Sequence, residues 1–185
     1  MTILGCITKY NASDIRPYVE SIEQTGFKGR KVMLVYDVPQ ETIDYLKSKG
    51  WDLFGGELQQ HIILQRFRDL YKLLGSEIKG TVIWTDVKDV IFQKDPTDWI
   101  DLNMEDDIMA FSECIKFKDD PWACVNAGTS FPMEWEWLQN EISYCAGTIV
   151  GDACYLRDLF IDIYRWSMTS SNQEQLSDQA AYNVL

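Results

Sequence analysis

Short apolar runs alternate with longer amphipathic segments along this chain. The apolar runs are rich in β-branched and aromatic residues, as is typical of buried strands, and they span Ile3–Thr8, Arg30–Val38, Trp51–Leu58, Thr81–Trp84, Asp107–Cys114 and Tyr144–Val150. Strands that alternate with helices imply a largely parallel sheet with right-handed crossovers. The pattern therefore predicts an α/β domain, Rossmann-like in its first half, with a mixed, mainly parallel central sheet and flanking helices.

The amphipathic segments predict the helices. Their apolar residues recur at helical spacing, and the predicted helices cover Ser13–Thr25, Pro39–Ser48, His61–Leu74, a short stretch within Met133–Leu138, Tyr155–Met168 and a last helix that Ser177 begins. Residues Lys116–Pro132 are rich in Lys, Asp, Gly and Pro. That composition predicts a long loop.

Charged residues follow one predicted strand abruptly. The stretch T-V-I-W-T-D-V-K-D-V-I-F-Q-K-D-P places Asp86, Lys88 and Asp89 after an uncharged run, and a further apolar run, Val90–Phe92, is predicted as a strand behind them. Ligands of open α/β sheets bind outside the carboxyl ends of the strands, and two carboxylates are a usual protein contribution to a Mg²⁺ site. The alternative is a helix cap at Asp86 with solvated charges after it. The position between two apolar runs favours a functional site.

One arginine falls on the apolar stripe of the predicted helix over His61–Leu74. At 100° per residue Arg66 lies inside the arc that the apolar residues define, and these are Ile62, Ile63, Phe67, Leu70, Leu73 and Leu74. Its guanidinium either snorkels to water or pairs with an acid, or it meets an anionic ligand with two hydrogen bonds.

Length and charge limit the class of protein. A chain of 185 residues with 46% hydrophobic and 25% charged residues fits a single globular domain, 1–185. Its net charge of −12 argues against nucleic acid as a partner, because phosphate backbones are bound by clustered Lys and Arg. A small phosphate-bearing ligand requires a cation that offsets the repulsion.

The reactive side chains exclude several kinds of site. Five cysteines without a C-x-x-C pair argue against a disulfide framework or zinc site, and a single histidine excludes most Ser-His-Asp schemes. No secretory signal or membrane-spanning run is evident, so a soluble, cytoplasmic protein is expected. Because the sequence ends inside a helical pattern, we expect it to be the N-terminal part of a longer chain.

Three stretches, in this order, resemble the GT-A-type glycosyltransferases, which transfer a sugar from a nucleoside diphosphate donor. They are T-D-V-K-D-V-I-F-Q-K-D-P, A-G-T-I-V-G and S-D-Q-A-A-Y-N, and the resemblance covers most of the chain from about His61. It implies transfer of a hexose or related sugar from a UDP-sugar to a hydroxyl of a glycan, glycoprotein or small molecule. Residues 1–95 would form the donor-binding half and residues 96–185 the acceptor-binding half.

The resemblance also implies Mn²⁺ or Mg²⁺ between a D-x-D motif and the diphosphate. In this chain Lys88 stands where the second acid of D-x-D is expected, and Asp89 follows one residue later. In an extended strand Asp86 and Asp89 would face opposite sides, so both can reach one metal ion only if the chain turns between them. The alternative is a metal-independent enzyme in which Lys88 or Arg66 neutralises the diphosphate.

Further site residues are expected from the resemblance. Thr8, Tyr10 and Asp37, at the ends of the first two strands, are expected near the base and ribose of the donor. Asp152 and Asp178 are candidates for the catalytic carboxylate, with a helix cap as the alternative for each. Gln179 is a candidate catalytic residue in the same stretch as Asp178, and Cys145 stands where relatives often have Asn.

Two other classes compete with this interpretation. A non-catalytic nucleotide-sugar-binding module can have the same fold. A sugar nucleotidyltransferase also starts Rossmann-like, but it needs a glycine-rich phosphate loop after the first strand, where this chain has C-I-T-K-Y-N-A-S-D.

Overall fold

The structure is a computed structural model and describes residues 1–171 and 177–185. Within these residues six strands form one sheet in the order β3-β2-β1-β4-β6-β5. The strands are β1 (Thr2–Thr8), β2 (Arg30–Tyr36), β3 (Asp52–Gly55), β4 (Thr81–Thr85), β5 (Ile108–Lys116) and β6 (Ile142–Asp152). The helices are α1 (Ala12–Thr25), α2 (Gln40–Ser48), α3 (Ile62–Ser76), α4 (Thr97–Asn103), α5 (Pro121–Ser130), α6 (Trp135–Leu138), α7 (Ala153–Thr169) and α8 (Ser177–Val184).

Parallel and antiparallel pairs occupy different parts of the sheet. The strands β3, β2, β1 and β4 run parallel to one another, whereas β6 is antiparallel to β4 and β5 is antiparallel to β6. This arrangement confirms the predicted α/β class with a mixed, mainly parallel sheet. It also confirms that the four predicted runs near Ile3, Lys31, Val82 and Ile108 share one sheet.

Each face of the sheet has its own hydrophobic core. One face packs under α3, α7 and α8, where the rings of Phe67, Trp84 and Phe160 contact one another at centroid distances between 5.3 and 6.1 Å. On the other face Tyr18 of α1 packs against Trp51 and Phe92. Helices cover both faces of the sheet, so a ligand can approach the sheet at its carboxyl edge.

The antiparallel strands β5 and β6 extend beyond this edge. Thr85, the last residue of β4, pairs with Thr148 in the middle of β6, so residues 142–147 continue past the end of β4. Their partner there is β5, with Tyr144 opposite Ser112 and Ile142 opposite Lys116. We refer to residues 112–116 and 142–147 as the ribbon, and it forms a wall beside the carboxyl ends of β1 and β4.

Two local predictions were wrong. Residues 90–92 do not form a strand, because the Phe92 N–H donates to Ser21 Oγ at 3.1 Å and the Phe92 ring packs edge-on against Tyr18. The predicted loop over 116–132 contains α5. Asp120 caps that helix by accepting from the N–H groups of Trp122 and Ala123, and Pro121 occupies its first turn, a recognisable helix-start signal.

All five cysteines lie in the described residues, and each is a free thiol. None of the helices in residues 1–171 and 177–185 is both long enough and apolar enough to cross a membrane.

Candidate active site

A cavity of about 330 Å³ lies at the carboxyl edge of the sheet, between the ends of β1 and β4 and the start of α3. Its lining contains six of the predicted site residues, and the full set is Cys6, Thr8, Tyr10, Ile62, Ile63, Arg66, Asp86, Val87, Lys88 and Asp89. The structure thus brings three charged residues after β4, the arginine of α3 and two residues at the end of β1 into one space. Asp37 lies outside this lining.

Arg66 connects the cavity to α8. Its Nη1 donates to Asp86 Oδ1 at 2.9 Å, and its Nη2 donates to Asp178 Oδ2. The guanidinium also lies against the rings of Phe67 and Trp84, at 5.0 and 5.4 Å from their centroids. Burial lowers the pKa of Arg66, but the neighbouring Asp178 and Asp86 outweigh this, and the net shift is upward. The arginine is therefore a fixed cation between two carboxylates.

Asp86 is held at its position by the strand beside it. Its backbone N–H donates to the Gly147 carbonyl at 2.7 Å, and a Cβ atom at Gly147 would lie only 2.3 Å from Asp86 Oδ2. A glycine inside a strand permits close approach by another group, and at Gly147 that group is the Asp86 carboxylate. Gly147 therefore leaves the space in which this carboxylate sits.

The chain bends directly after Asp86. Residues 87–89 form a bend, which allows Asp86 and Asp89 to line the same cavity despite their three-residue offset. Between them, the Lys88 ammonium lies over the Tyr10 ring at 5.8 Å from its centroid. The cavity lining thus holds two cations, Arg66 and Lys88, and two acids, Asp86 and Asp89, and Arg66 also pairs with Asp178.

Two shielded polar atoms of the cavity residues have no hydrogen-bond partner in the described part of the chain. They are Thr8 Oγ1 and Arg66 Nε. An unpaired buried polar group costs about 1–3 kcal/mol, and a ligand oxygen that reached either atom would remove this cost. Both donate hydrogen bonds, and the matching ligand atoms are oxygens such as those of a phosphate or a sugar.

The backbone at the ends of β1 and β2 is strained. Lys9 and Asp37 adopt left-handed conformations with φ of 57° and 50°, which costs a non-glycine residue about 1–3 kcal/mol and is frequent at ligand sites. The two turns are adjacent, since the Lys9 N–H donates to the Tyr36 carbonyl at 3.3 Å. Asp37 therefore lies beside the rim of the cavity, although it does not line it.

Asp178 and Gln179 reach the site through α8. Asp178 is only 3% exposed, and its Oδ1 accepts from the Gln179 N–H at 2.9 Å while Oδ2 accepts from Arg66. The Gln179 Nε2 donates to Glu113 and Ser143 of the ribbon, at 3.3 Å each. Asp178 and Gln179 therefore connect Arg66 of the cavity to the ribbon.

Asp152 is not part of this cluster. It pairs with Thr81 at the start of β4, whereas Asp86 follows the end of that strand, so the length of β4 separates them. There Asp152 caps α7 by accepting from the Cys154 N–H at 2.9 Å. The thiol and N–H of Cys154 lower the pKa of Asp152. The helix cap, the alternative interpretation of this residue, describes its contacts.

The acids of the cavity can hold a hard divalent cation only if other ligands complete its coordination. No group of three or more His, Cys, Asp or Glu side chains in the described residues could hold a metal ion. Asp86 and Asp89 supply two carboxylates to one cavity, and Mg²⁺-type ions are commonly held by one or two carboxylates with water and substrate phosphates completing the shell. The residues therefore fit a metal ion that binds together with a phosphate ligand.

Glu113 and Ser143 are the polar residues that the sequence did not indicate. They belong to β5 and β6, where the register shifts between Ala110, Ser112 and Lys116. Alternation along a regular strand cannot predict which side chains point toward α8 across such irregularities. Only the contact with Gln179 identifies them.

The comparison with solved structures concerns the fold. No protein-family model matches this chain, and no curated protein matches its sequence. A crystal structure of the galactosyltransferase LgtC in complex with donor and acceptor sugar analogs matches with a TM-score of 0.66 at 16% identity, over 99% of this chain and 69% of that one. An active-site mutant of LgtC matches with a TM-score of 0.63 at 15% identity, over 100% and 70%. The chain therefore has the GT-A-like fold of LgtC.

Proposed function

We propose that this chain is a glycosyltransferase that moves a sugar from a nucleoside diphosphate donor to an acceptor hydroxyl. A UDP-sugar is the expected donor. The observation that best supports the proposal is the cavity at the carboxyl edge, whose lining brings the acids Asp86 and Asp89 together with the cations Arg66 and Lys88. The fold shared with LgtC supports the same class.

The charges of the site match the leaving group of such a reaction. Cleavage of the bond between the anomeric carbon and the phosphate leaves a dianionic diphosphate, which fixed cations stabilise as the charge develops. Both Nη groups of Arg66 are engaged by Asp86 and Asp178, and Lys88 alone cannot balance a dianion beside these acids. We therefore propose that Asp86 and Asp89 hold Mn²⁺ or Mg²⁺, which would act as the Lewis acid toward the diphosphate.

The ends of β1 and β2 are proposed to bind the nucleoside. Thr8 and Tyr10 line the cavity, and Asp37 lies at the adjacent turn. A carboxylate accepts hydrogen bonds from a ribose hydroxyl or a uracil N–H, while a tyrosine ring offers a stacking surface. The Tyr10 turn is fixed by α2, because Thr42 Oγ1 donates to the Tyr10 carbonyl at 3.0 Å.

Asp178 and Gln179 are the proposed catalytic residues. Asp178 has one oxygen on Arg66 and the other on the Gln179 N–H, so both of its oxygens already accept a hydrogen bond within the chain. Its proposed role is to stabilise positive charge at the anomeric carbon of an oxocarbenium-like transition state. Gln179 is proposed to contact the sugar or the acceptor hydroxyl. Asp152 is not proposed as a catalytic residue, because it lies at the opposite edge of the sheet.

A sugar nucleotidyltransferase is disfavoured by the start of α1. A phosphate loop requires free N–H groups and positive potential at a helix start. Here Asp14 places a carboxylate in the first turn, where it accepts from the Asn11 N–H at 2.9 Å. A negative side chain at this position repels a phosphate. The remaining alternative is a nucleotide-sugar-binding domain without catalysis.

Calorimetry with a panel of nucleotides and nucleotide sugars tests the proposal, each measured with Mn²⁺ and with EDTA. We expect UDP and a UDP-sugar to bind with micromolar affinity only when Mn²⁺ is present. Equal affinity in EDTA contradicts the metal assignment, and preference for adenine nucleotides contradicts the nucleoside assignment. Slow hydrolysis of the bound UDP-sugar distinguishes an enzyme from a binding domain, and the absence of any nucleotide binding refutes the proposed function.

A further inference from the structure

Glu113 occupies an unusual place in the ribbon. The pairing of β5 with β6 is irregular on both sides of Ser112, and the next residue but one, Cys114, adopts a left-handed conformation with φ of 55°. The Cys114 N–H donates to Ser112 Oγ at 2.9 Å instead of to the neighbouring strand. Such irregularities re-aim side chains, and they are frequent next to functional sites.

The re-aimed carboxylate meets α8. Glu113 Oε2 accepts from Ser143 Oγ at 3.0 Å, and its Oε1 accepts from Gln179 Nε2 at 3.3 Å. Ser143 is fully buried, and its hydroxyl also lies 3.3 Å from the same Nε2. The three side chains therefore form a closed triangle of hydrogen bonds across β5, β6 and α8.

This triangle determines the orientation of the Gln179 carboxamide. A carboxylate accepts hydrogen bonds and cannot donate them at neutral pH, so Glu113 pairs with the NH₂ group of Gln179 and not with its oxygen. The amide oxygen then points away from Glu113. The amide oxygen is left as the hydrogen-bond acceptor of this side chain, which matches a hydroxyl group and not a phosphate.

We propose that Glu113 is a positioning residue that fixes the carboxamide of Gln179 with its oxygen toward the substrate hydroxyls. The kinetic consequence of this inference rests on the proposed glycosyl transfer. The orientation of the Gln179 carboxamide depends only on contacts within the chain. The side chain of Glu113 is not assigned any contact with the donor or the metal ion.

Nuclear magnetic resonance of the apo protein tests the orientation without any activity. The carboxamide signals of Gln179 are identified by their loss in Gln179→Glu. In Glu113→Ala we expect these signals to shift and their hydrogen exchange to accelerate, whereas Glu136→Gln, an exposed acid on α6, leaves them unchanged. Unchanged Gln179 signals in Glu113→Ala overturn the proposal, even if the protein proves to have no transferase activity.

A double-mutant cycle tests the kinetic consequence. We expect Glu113→Gln to lower kcat about tenfold, as for the loss of about one charge-assisted hydrogen bond, with little change in KM for the donor or in melting temperature. In a Gln179→Ala background the same substitution should have no further effect. Equal effects of Glu113→Gln in both backgrounds overturn the proposal, because Glu113 would then act independently of Gln179. Glu113→Asp should restore part of the lost kcat if its carboxylate still reaches Nε2.

Discussion

The two ends of β4 each have an aspartate beside them, and these two aspartates have different environments. At the carboxyl end, Asp86 contacts the mostly buried Arg66 and lines a cavity together with Lys88 and Asp89. At the amino end, Asp152 of β6 pairs with Thr81 and caps α7. Both are acids at an element boundary, but only Asp86 shares a cation and a cavity with other candidate residues.

The difference has a physical origin. In the parallel part of the sheet the carboxyl ends of β1 and β4 open onto one edge, where the loops diverge and leave a cleft. At the amino edge the backbone N–H groups at the start of α7 satisfy the Asp152 carboxylate directly. An acid that is satisfied by its own helix stabilises the fold, whereas an acid paired with a shared cation is free to change partners when a ligand binds.

The largest effect is expected from removal of the exposed acid of the cavity. Asp89→Ala should abolish Mn²⁺-dependent binding of UDP, because Asp86 alone leaves one carboxylate for the metal ion. The fold should be unaffected, since Asp89 is exposed. Calorimetry with and without EDTA measures the loss. Asp101→Ala removes an exposed acid of α4 as the control, and equal affinity of Asp89→Ala and the wild type would exclude Asp89 as a metal ligand.

Arg66→Ala should affect both stability and binding. The substitution leaves the nearly buried carboxylate of Asp178, whose side chain is 4% exposed, beside Asp86 without a cation, and we expect a loss of about 3 kcal/mol in unfolding free energy. Donor affinity should fall about tenfold or more in the folded fraction. Arg66→Lys should recover little, because one ammonium does not reproduce two directed contacts.

Arg68→Ala provides the matched control for Arg66. Arg68 is on the same helix and pairs with Asp69, outside the cavity lining. The two variants have equal net charge, so a loss of UDP affinity in both would indicate a general charge effect. A large stability loss with unchanged affinity in Arg66→Ala would make Arg66 a structural residue only.

Gly147→Ala should disturb Asp86 without removing it. The new Cβ would overlap Asp86 Oδ2, so the carboxylate must move away from β6. We expect the Mn²⁺-dependent affinity for UDP to fall several-fold, by about 1 kcal/mol. Gly56→Ala is the control, because no atom lies within 4 Å of a Cβ built there. Full affinity in Gly147→Ala would show that the position of Asp86 is not critical.

The smallest effect is expected at the opposite edge. Asp152→Ala removes a helix cap and should lower the unfolding free energy by about 1 kcal/mol while UDP affinity stays unchanged. Since the folded pKa of Asp152 is lowered, this stabilisation is present above its unfolded pKa and disappears as the pH falls through the folded value. Melting curves of both proteins should therefore converge in acid. A loss of turnover of Asp152→Ala at neutral pH would contradict this expectation and indicate that Asp152 has a catalytic role.

Part of the site could be predicted from the sequence because it depends on local pattern. The uncharged run before Asp86 predicted a strand, and the position of Arg66 on an apolar stripe predicted an ion pair or an anionic ligand. The structure places Arg66 in two ion pairs, with Asp86 and Asp178. The helix α5 was also predictable from Asp120 and Pro121, but the charged composition of its surroundings favoured a loop.

The hydrophobic pattern of the sequence thus predicted the six strands of the sheet, most of the helices and the class of the fold, because each element sets its own period of buried residues. It also predicted a strand at 90–92 that does not form. The tertiary structure alone decided which acid reaches which cation. Asp178 lies 112 positions from Arg66, and Glu113 reaches Gln179 only through an irregular strand. Such contacts depend on how helices and strands from distant parts of the chain pack together, and no local period of the sequence encodes that packing.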